Sequence, residues 1–385
     1  MYYFDWTATS PISEASLKEY CFVASKYIGN PSSTHPLGLE AKDRLEKERS
    51  YTASVLEVKP NEIFFTSGGT ESDSIILSSL LNSPSPGEII TTGIEHSAVL
   101  EWKKTLENAG WIFTALNCPG GYLNPDTLKE ALNEKVRMVC FMKVNNVTGT
   151  VLDTLSLVKT VREYENKNGR KIHIHCDAVQ ALGKIPFFPE KEDIDSAAFS
   201  AHKFCGPRGV GILYCRNKAI TSLSRGGGQE KGLRPGTENL AAICAMNKAL
   251  KDSIEQMKVK YDEILGFRRK IEKAALDSGY TLISPSCDSN LEFSPYIINI
   301  CSKPIPSEVF LRVMSDKGFC LSAGSACSSN SRGKAESVLS AMNIDHSIRM
   351  SSIRISMGSS TKIEEVELLC SALETAAREL DIIRN

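Results

Sequence analysis

The sequence predicts an α/β protein: a large, mostly parallel sheet covered by helices, followed by a smaller α+β unit. Three observations predict it. From about Pro60 to Tyr214, short apolar runs alternate with helical patterns. A long stretch with few helix breakers follows, from Leu240 to about Ser278. Beyond it, strand-like runs such as Ile297 to Ile300 and Ser352 to Ser356 mix with a helical pattern from Ile363 to Ile383.

Taken in order, Ile63 to Thr66 reads as a strand and Glu71 to Leu81 as a helix, then Glu88 to Thr91 as a strand and Ser97 to Asn108 as a helix. Val136 to Met142, Lys171 to Cys176, Ser196 to Phe199 and Val210 to Tyr214 supply further strands. Their continuous apolar character suits a parallel sheet buried on both faces. Ligands of such folds sit beyond the carboxyl ends of the strands, and Asp177, Lys203 and the Gly68-Gly69 turn all fall just past such ends. A segment of small polar residues, Ser322 to Gly333, holds Cys327 at its centre and reads as a loop of the kind that carries function.

Composition narrows the function classes. The 385 residues are 42% hydrophobic and 24% charged, with 45 Lys and Arg against 46 Asp and Glu. A net charge of −1 builds no field for a polyanion, so neither nucleic acid nor a membrane surface is an expected partner. The N-terminus shows no basic region and no apolar stretch of signal-peptide length, which predicts a cytoplasmic protein. The 12 cysteines are dispersed without a C-x-x-C pair, so most are expected to be reduced and buried.

A lysine that ends a buried strand, in Ser200-Ala201-His202-Lys203, can lose its proton in a desolvated pocket and form a Schiff base with an aldehyde. Asp177 ends the preceding strand and suits the ring nitrogen of pyridoxal phosphate, which must stay protonated for the ring to act as an electron sink. Taken singly these are a surface Lys and a capping Asp; together they point to that cofactor. Gly68-Gly69-Thr70 at a strand-to-helix turn offers backbone N–H groups and a positive dipole end to a phosphate, and Ser200, His202 and Thr237 could complete the cup. His96 can stack on a flat ring or move protons, or merely begin a helix.

Arg354, inside an apolar strand, needs an anion: a substrate carboxylate or an internal salt bridge. Cys327 has little apolar surface to pack against, which favours a reactive thiol. His173, His175 and Asp177 alternate along one strand and share a face, which motivates a rival reading as a metal-dependent hydrolase. With only six His in the chain and no second cluster of ligands, no metal is expected. A non-catalytic sulfur-carrier or scaffold-binding protein is a further alternative.

These residues, in this order, resemble the cysteine desulfurases of the NifS/IscS type, in the class V aminotransferase family of fold-type I pyridoxal-phosphate enzymes. The likeness runs through Tyr3 to Thr9, Gly29 to His35, Phe65 to Asp73, Glu95-His96, Val144-Asn145-Asn146, Asp177 to Gln180 and Ser200 to Lys203. It continues with Gly226 to Glu230, Arg234 to Thr237, Gly324 to Cys327 and Ser352 to Arg354. The resemblance implies a large cofactor-binding unit over 15–256 and a small unit of 1–14 and 257–385.

It also implies roles. Lys203 would hold the cofactor, Asp177 its ring nitrogen, Gln180 its phenolic oxygen, and His96 would stack on the ring and move protons. Gly69, Thr70, Ser200 and His202 would hold the phosphate, with Thr237 reaching in from a second subunit of a homodimer. Asn146, which borders the cofactor, would bind the substrate carboxylate of L-cysteine with Arg354 and Asn30. Cys327 would take the sulfur for an acceptor protein, an iron–sulfur scaffold or a tRNA-thiolation enzyme. A selenocysteine lyase or another class V transferase remains the alternative within the fold. Lys143, Val147-Thr148, Cys176 and Ala201 depart from the family's usual residues near the cofactor.

Overall fold

Among the described residues thirteen strands organise the protein, six of them ending on one edge of a single sheet. The structure is a computed structural model that describes residues 1–324 and 334–380. In chain order the strands are β1 (Tyr2–Tyr3), β2 (Ile63–Thr66), β3 (Glu88–Thr92), β4 (Ile112–Leu116), β5 (Val136–Met142), β6 (His173–Asp177) and β7 (Ser196–Ser200). There follow β8 (Gly211–Cys215), β9 (Thr281–Leu282), β10 (Ile297–Cys301), β11 (Phe319–Cys320), β12 (Ser322–Ala323) and β13 (Ser352–Ser356).

The large sheet runs β2-β8-β7-β6-β5-β3-β4. Strand β8 is antiparallel to both neighbours, and every other pair is parallel. Because β8 is antiparallel to both neighbours, β2 points the same way as β7, so β2, β3, β4, β5, β6 and β7 all end on one edge. Consecutive residues fall into separate apolar clusters: Phe64 and Phe65, Ile89 and Ile90, Leu213 and Tyr214. Side chains of a strand alternate between faces, so each face has its own core and neither is left to water. This is the α/β architecture the alternating pattern predicts.

The helices differ from expectation in detail. The helix after the Gly-Gly turn begins at Gly69, not Glu71, because Gly68 adopts φ 152°, ψ −175°, a conformation open to glycine but not to residues with a Cβ. The stretch from Ser97 to Asn108 breaks at Glu101 into Ser97–Leu100 and Trp102–Asn108. Strand β4 has no counterpart in the sequence reading, since it lies at the sheet edge and Ile112 and Ala115 stay exposed. Helices Glu14–Lys26 and Pro36–Leu56 also went unread. They pack on the helix Leu240–Asp277, where the Ser16 hydroxyl donates to Ala245 O at 2.8 Å and Thr52 to Asn247 Oδ1 at 2.9 Å.

That long helix leads to a second, antiparallel sheet, β12-β13-β10-β9. The chain's first residues belong beside it: β1 pairs with β11, and Asp5 bridges Ser356. From there residues 7–9 run across to the edge of the large sheet, where Thr7 O and Ala8 O accept from the Lys203 amine. No described helix is long and apolar enough to cross a membrane.

Candidate active site

A cavity of about 490 Å³ opens on this edge, where β2, β3, β5, β6 and β7 end. Asp177 closes β6, Lys203 follows β7, and Gly68-Gly69-Thr70 follows β2, and all of them line the cavity. Asp177 is 7% exposed, and its Oδ1 accepts from the Val179 N–H at 3.0 Å. The Lys203 amine donates to Thr7 O at 2.7 Å and Ala8 O at 2.8 Å. The helix Gly69–Ser79 has no side chain capping its N-terminus, so its first N–H groups remain available to an anion. A Cβ on Gly69 would meet Val179 Cγ2 at 2.5 Å, so the backbone comes this close to the Asp177 loop only as glycine. Glu71, next to the cup, ion-pairs with Arg234 at 3.4 Å and accepts from the Ser67 N–H, tying the Arg234-Pro-Gly-Thr237 loop to it.

His96, Asn146, Gln180, Ser200, His202 and Arg354 line the same cavity. The His96 Nδ1 accepts from the Ala98 N–H at 3.1 Å, so in the neutral ring the proton sits on Nε2. Burial holds this imidazole below its ordinary range; Asp177 pulls it up and Lys203 pushes it down. His202 Nδ1 meets the Thr9 hydroxyl at 3.1 Å; burial, with Lys203, Arg208 and Lys184 nearby, lowers it to about 4. Arg354, 3% exposed, donates from one terminal nitrogen to Asn146 O at 3.0 Å and from the other to Asp5 Oδ1 at 2.9 Å. Its Nε has no partner among the described residues. The internal salt bridge therefore exists, and the same guanidinium faces the cavity.

Two expected residues lie outside this lining. Asn30 is exposed, and its Oδ1 accepts from the Ser32 N–H at 2.9 Å. Thr237 is exposed as well. Cys327 falls outside the described residues. The departures Lys143, Val147-Thr148, Cys176 and Ala201 are buried and also outside the lining. Lys143, for example, turns its amine to Thr154 Oγ1 at 2.6 Å and Glu192 at 3.5 Å.

The alternating histidines do something other than the rival reading required. Asn217 Nδ2 donates to His173 Nδ1 at 3.2 Å, and His173 Nε2 and His175 Nδ1 meet the Ser196 hydroxyl at 2.7 and 2.8 Å. His175 Nε2 then reaches Asp73 Oδ1 at 3.1 Å. Burial pushes both imidazoles down to about 4, so they are neutral at pH 7. Among the described residues no group of three His, Cys, Asp or Glu side chains is placed to hold a metal.

Sequence reasoning missed Asp73, which lines the cavity at 1% exposure; burial and the Asp177 charge push its carboxyl well up. It missed Asn145 too. That buried amide accepts from the N–H groups of Val147 and Thr148, both at 2.9 Å, and donates to Ile94 O at 3.2 Å, bracing the turn before His96. An Asn inside Val144-Asn145-Asn146 was the available signal.

An amine, a nearby carboxylate and an uncapped helix N-terminus around one cavity match the three polar ends of a pyridoxal phosphate, so the residues present fit that group. Comparison with known proteins agrees. The family model for class V aminotransferases matches residues 2–369, and the chain belongs to that family. Within it, the chain aligns along nearly its whole length with NifS/IscS cysteine desulfurases. It is 38% identical to the NifS/IcsS protein homolog of Lactobacillus delbrueckii subsp. bulgaricus, over 97% of this chain and 96% of that one. It is 34% identical to the cysteine desulfurase IscS of Dictyoglomus turgidum, over 99% and 95%. A solved NifS-like protein superimposes with a TM-score of 0.89 at 34% identity, covering 99% of this chain and 100% of that one.

Proposed function

We propose that the chain is a pyridoxal-phosphate-dependent cysteine desulfurase, working as a homodimer, that takes the sulfur of L-cysteine as a persulfide on Cys327 and releases L-alanine. The observation that carries this is the meeting of the Lys203 amine, the Asp177 carboxylate and an uncapped helix N-terminus at one cavity. When bound, the cofactor supplies an electron sink for the substrate's α-carbon. Lys203 Nζ would hold it and move the substrate's α-proton, Asp177 would face the ring nitrogen, Gln180 the phenolic oxygen, and His96 the ring. Gly69, Thr70, Ser200 and His202 would receive the phosphate, with Thr237 contributed by a second subunit.

Arg354 would take the substrate carboxylate together with Asn146 and Asn30. Its pairing with Asp5 keeps the guanidinium oriented before substrate arrives. The Cys327 thiolate forms an S–S bond as the substrate's Cβ–S bond breaks. The electron pair of that bond stays with the carbon fragment, which leaves protonated as L-alanine; the sulfur is oxidised from thiol to persulfide. An iron–sulfur scaffold or a tRNA-thiolation enzyme would then accept the outer sulfur. We assign residues 15–256 to the cofactor-binding unit, and 1–14 with 257–385 to the unit that carries Arg354 and Cys327.

The test is Cys327→Ser. Adding L-cysteine should still change the cofactor's absorbance, while alanine release falls to background. In the unaltered enzyme, mass spectrometry should find one extra, reductant-labile sulfur on the Cys327 peptide. Persulfide carried mainly by another cysteine, or a Cys327→Ser protein that desulfurates at the normal rate, would refute the assignment.

A further inference from the structure

A buried lysine that the reaction above does not use stands four residues after Gln180. Lys184 is 7% exposed, and burial, with Lys203 and Arg354 close by, lowers its amine to about 7. Burying an amine is unfavourable unless it is paired, and among the described residues its hydrogen-bond partner is Gln180 Oε1, at 2.8 Å. The other end of that amide, Nε2, donates to Thr7 O at 3.1 Å. Thr7 O is also an acceptor for the Lys203 amine. One carbonyl thus ties the Gln180 amide to the lysine at the centre of the site.

The two ends of a carboxamide have nearly the same shape and differ in what they offer: one accepts, the other donates twice. Turning the Gln180 amide over would set Oε1 against the Thr7 carbonyl oxygen and Nε2 against the Lys184 amine. The first contact is repulsive at any pH and the second wherever the Lys184 amine is protonated, below about pH 7, so there the pair of neighbours allows one orientation. In it, one N–H of Nε2 goes to Thr7 and the second is left for the cavity that Gln180 lines. Thr7 contributes a backbone oxygen that any residue would supply, so the side chain that makes the choice is Lys184.

We propose that Lys184 is a positioning residue that holds the Gln180 amide with its N–H toward the cavity, so that the phenolic oxygen of the bound ring meets a donor rather than an acceptor. This rests on the cofactor reading given above. It predicts that Lys184 acts through Gln180 and not as general support for the loop.

The experiment measures the dissociation constant of pyridoxal phosphate and the visible absorption of the bound cofactor in five proteins: unaltered, Lys184→Met, Lys184→Arg, Gln180→Leu, and the Lys184→Met/Gln180→Leu double variant. Lys184→Met should weaken cofactor binding by about tenfold, the size of one lost charge-assisted hydrogen bond, and shift the visible band. Lys184→Arg, which offers only donors at any pH, should restore both. The double variant should match Gln180→Leu alone, because the lysine has nothing left to orient. Additive losses, or a Lys184→Met protein with unchanged affinity and spectrum, overturn the inference. Should Lys184→Met fail to fold, Gln180→Glu decides: it keeps a partner for Lys184 but turns an acceptor to the ring, and normal affinity there refutes the proposal. If the unaltered protein binds no pyridoxal phosphate, the cofactor reading itself falls, which is a different failure.

Discussion

The floor of the cavity and its side wall are built in opposite ways. The floor comes from the ends of neighbouring parallel strands, β6 and β7, with the Gly-Gly turn after β2, and its side chains sit beside each other because the sheet register puts them there. The wall comes from segments far apart in the chain. Arg354 on β13 is held by Asp5 across 349 residues of sequence, and the carbonyls of Thr7 and Ala8 reach in from the N-terminus to Lys203. A floor of this kind suits a permanently held group. A wall assembled from distant segments suits the part of the ligand that changes at every turnover. We therefore expect substitutions in the floor to abolish the reaction, and substitutions in the wall to change how much substrate it needs.

The largest effect should come from the floor. Lys203→Ala should lower alanine production by about a thousandfold or more, while the Gly-Gly cup and Asp177 still retain cofactor non-covalently. Turnover at the normal rate, followed by amino-acid analysis, would erase the distinction. In the wall, Arg354→Ala removes a buried, charge-assisted contact worth about 2–4 kcal/mol, so the KM for cysteine should rise at least about tenfold with the cofactor spectrum unchanged. A normal KM would make this arginine only the partner of Asp5.

A third effect lies beneath the floor and depends on pH. His175 is held at about 4 against 6.5 in the unfolded chain, so its contribution to stability is full above pH 6.5 and is lost as pH falls toward 4. At pH 5.5 the loss is about 1.4 kcal/mol. Asp73 and Glu95, whose carboxyls burial pushes up, change in the opposite sense but are present in both proteins to be compared. Going from pH 7.5 to 5.5, the unaltered protein should therefore lose about 1.4 kcal/mol more stability, or gain that much less, than His175→Gln in urea unfolding; an equal signed change in the two proteins contradicts the assignment. The smallest effect belongs to the wall again. Asp5→Asn keeps the shape but removes the charge that orients Arg354, and should raise the KM about fivefold with kcat little changed. A change in kcat alone would place Asp5 in the chemistry.

The same contrast explains what could be read from the sequence. The floor was legible because its residues are short local words, Gly68-Gly69-Thr70, Asp177 to Gln180 and Ser200 to Lys203, each ending a recognisable apolar strand. The wall was legible only in part. Arg354 stood out as a charge in an apolar strand, but nothing in the spacing pairs it with Asp5. Backbone carbonyls such as Thr7 O leave no mark in a sequence at all. Asp73 looked like an ordinary residue of an exposed helix turn, since the strand it leans on, β6, is 100 residues away. Asn30 entered through the resemblance and Thr237 as a hydroxyl for the phosphate cup, and a single chain leaves both outside the cavity.

The hydrogen-bond chain through His173 and His175 has a direction, and a residue on the far side of the sheet chooses it. Asn217 Oδ1 accepts from the Ala219 N–H at 3.0 Å, which fixes its amide and makes Nδ2 the end that faces His173. Each link then donates toward the cavity, from Asn217 through both rings and Ser196 to Asp73, and Asp73 is free to act as an acceptor. An aspartate in place of Asn217 has no N–H to give. His173 would have to take its proton on Nδ1, Ser196 and His175 would turn over in sequence, and Asp73 would have to supply a proton of its own. A single amide at the opposite edge of the sheet thus dictates whether an acid in the cavity gives or receives.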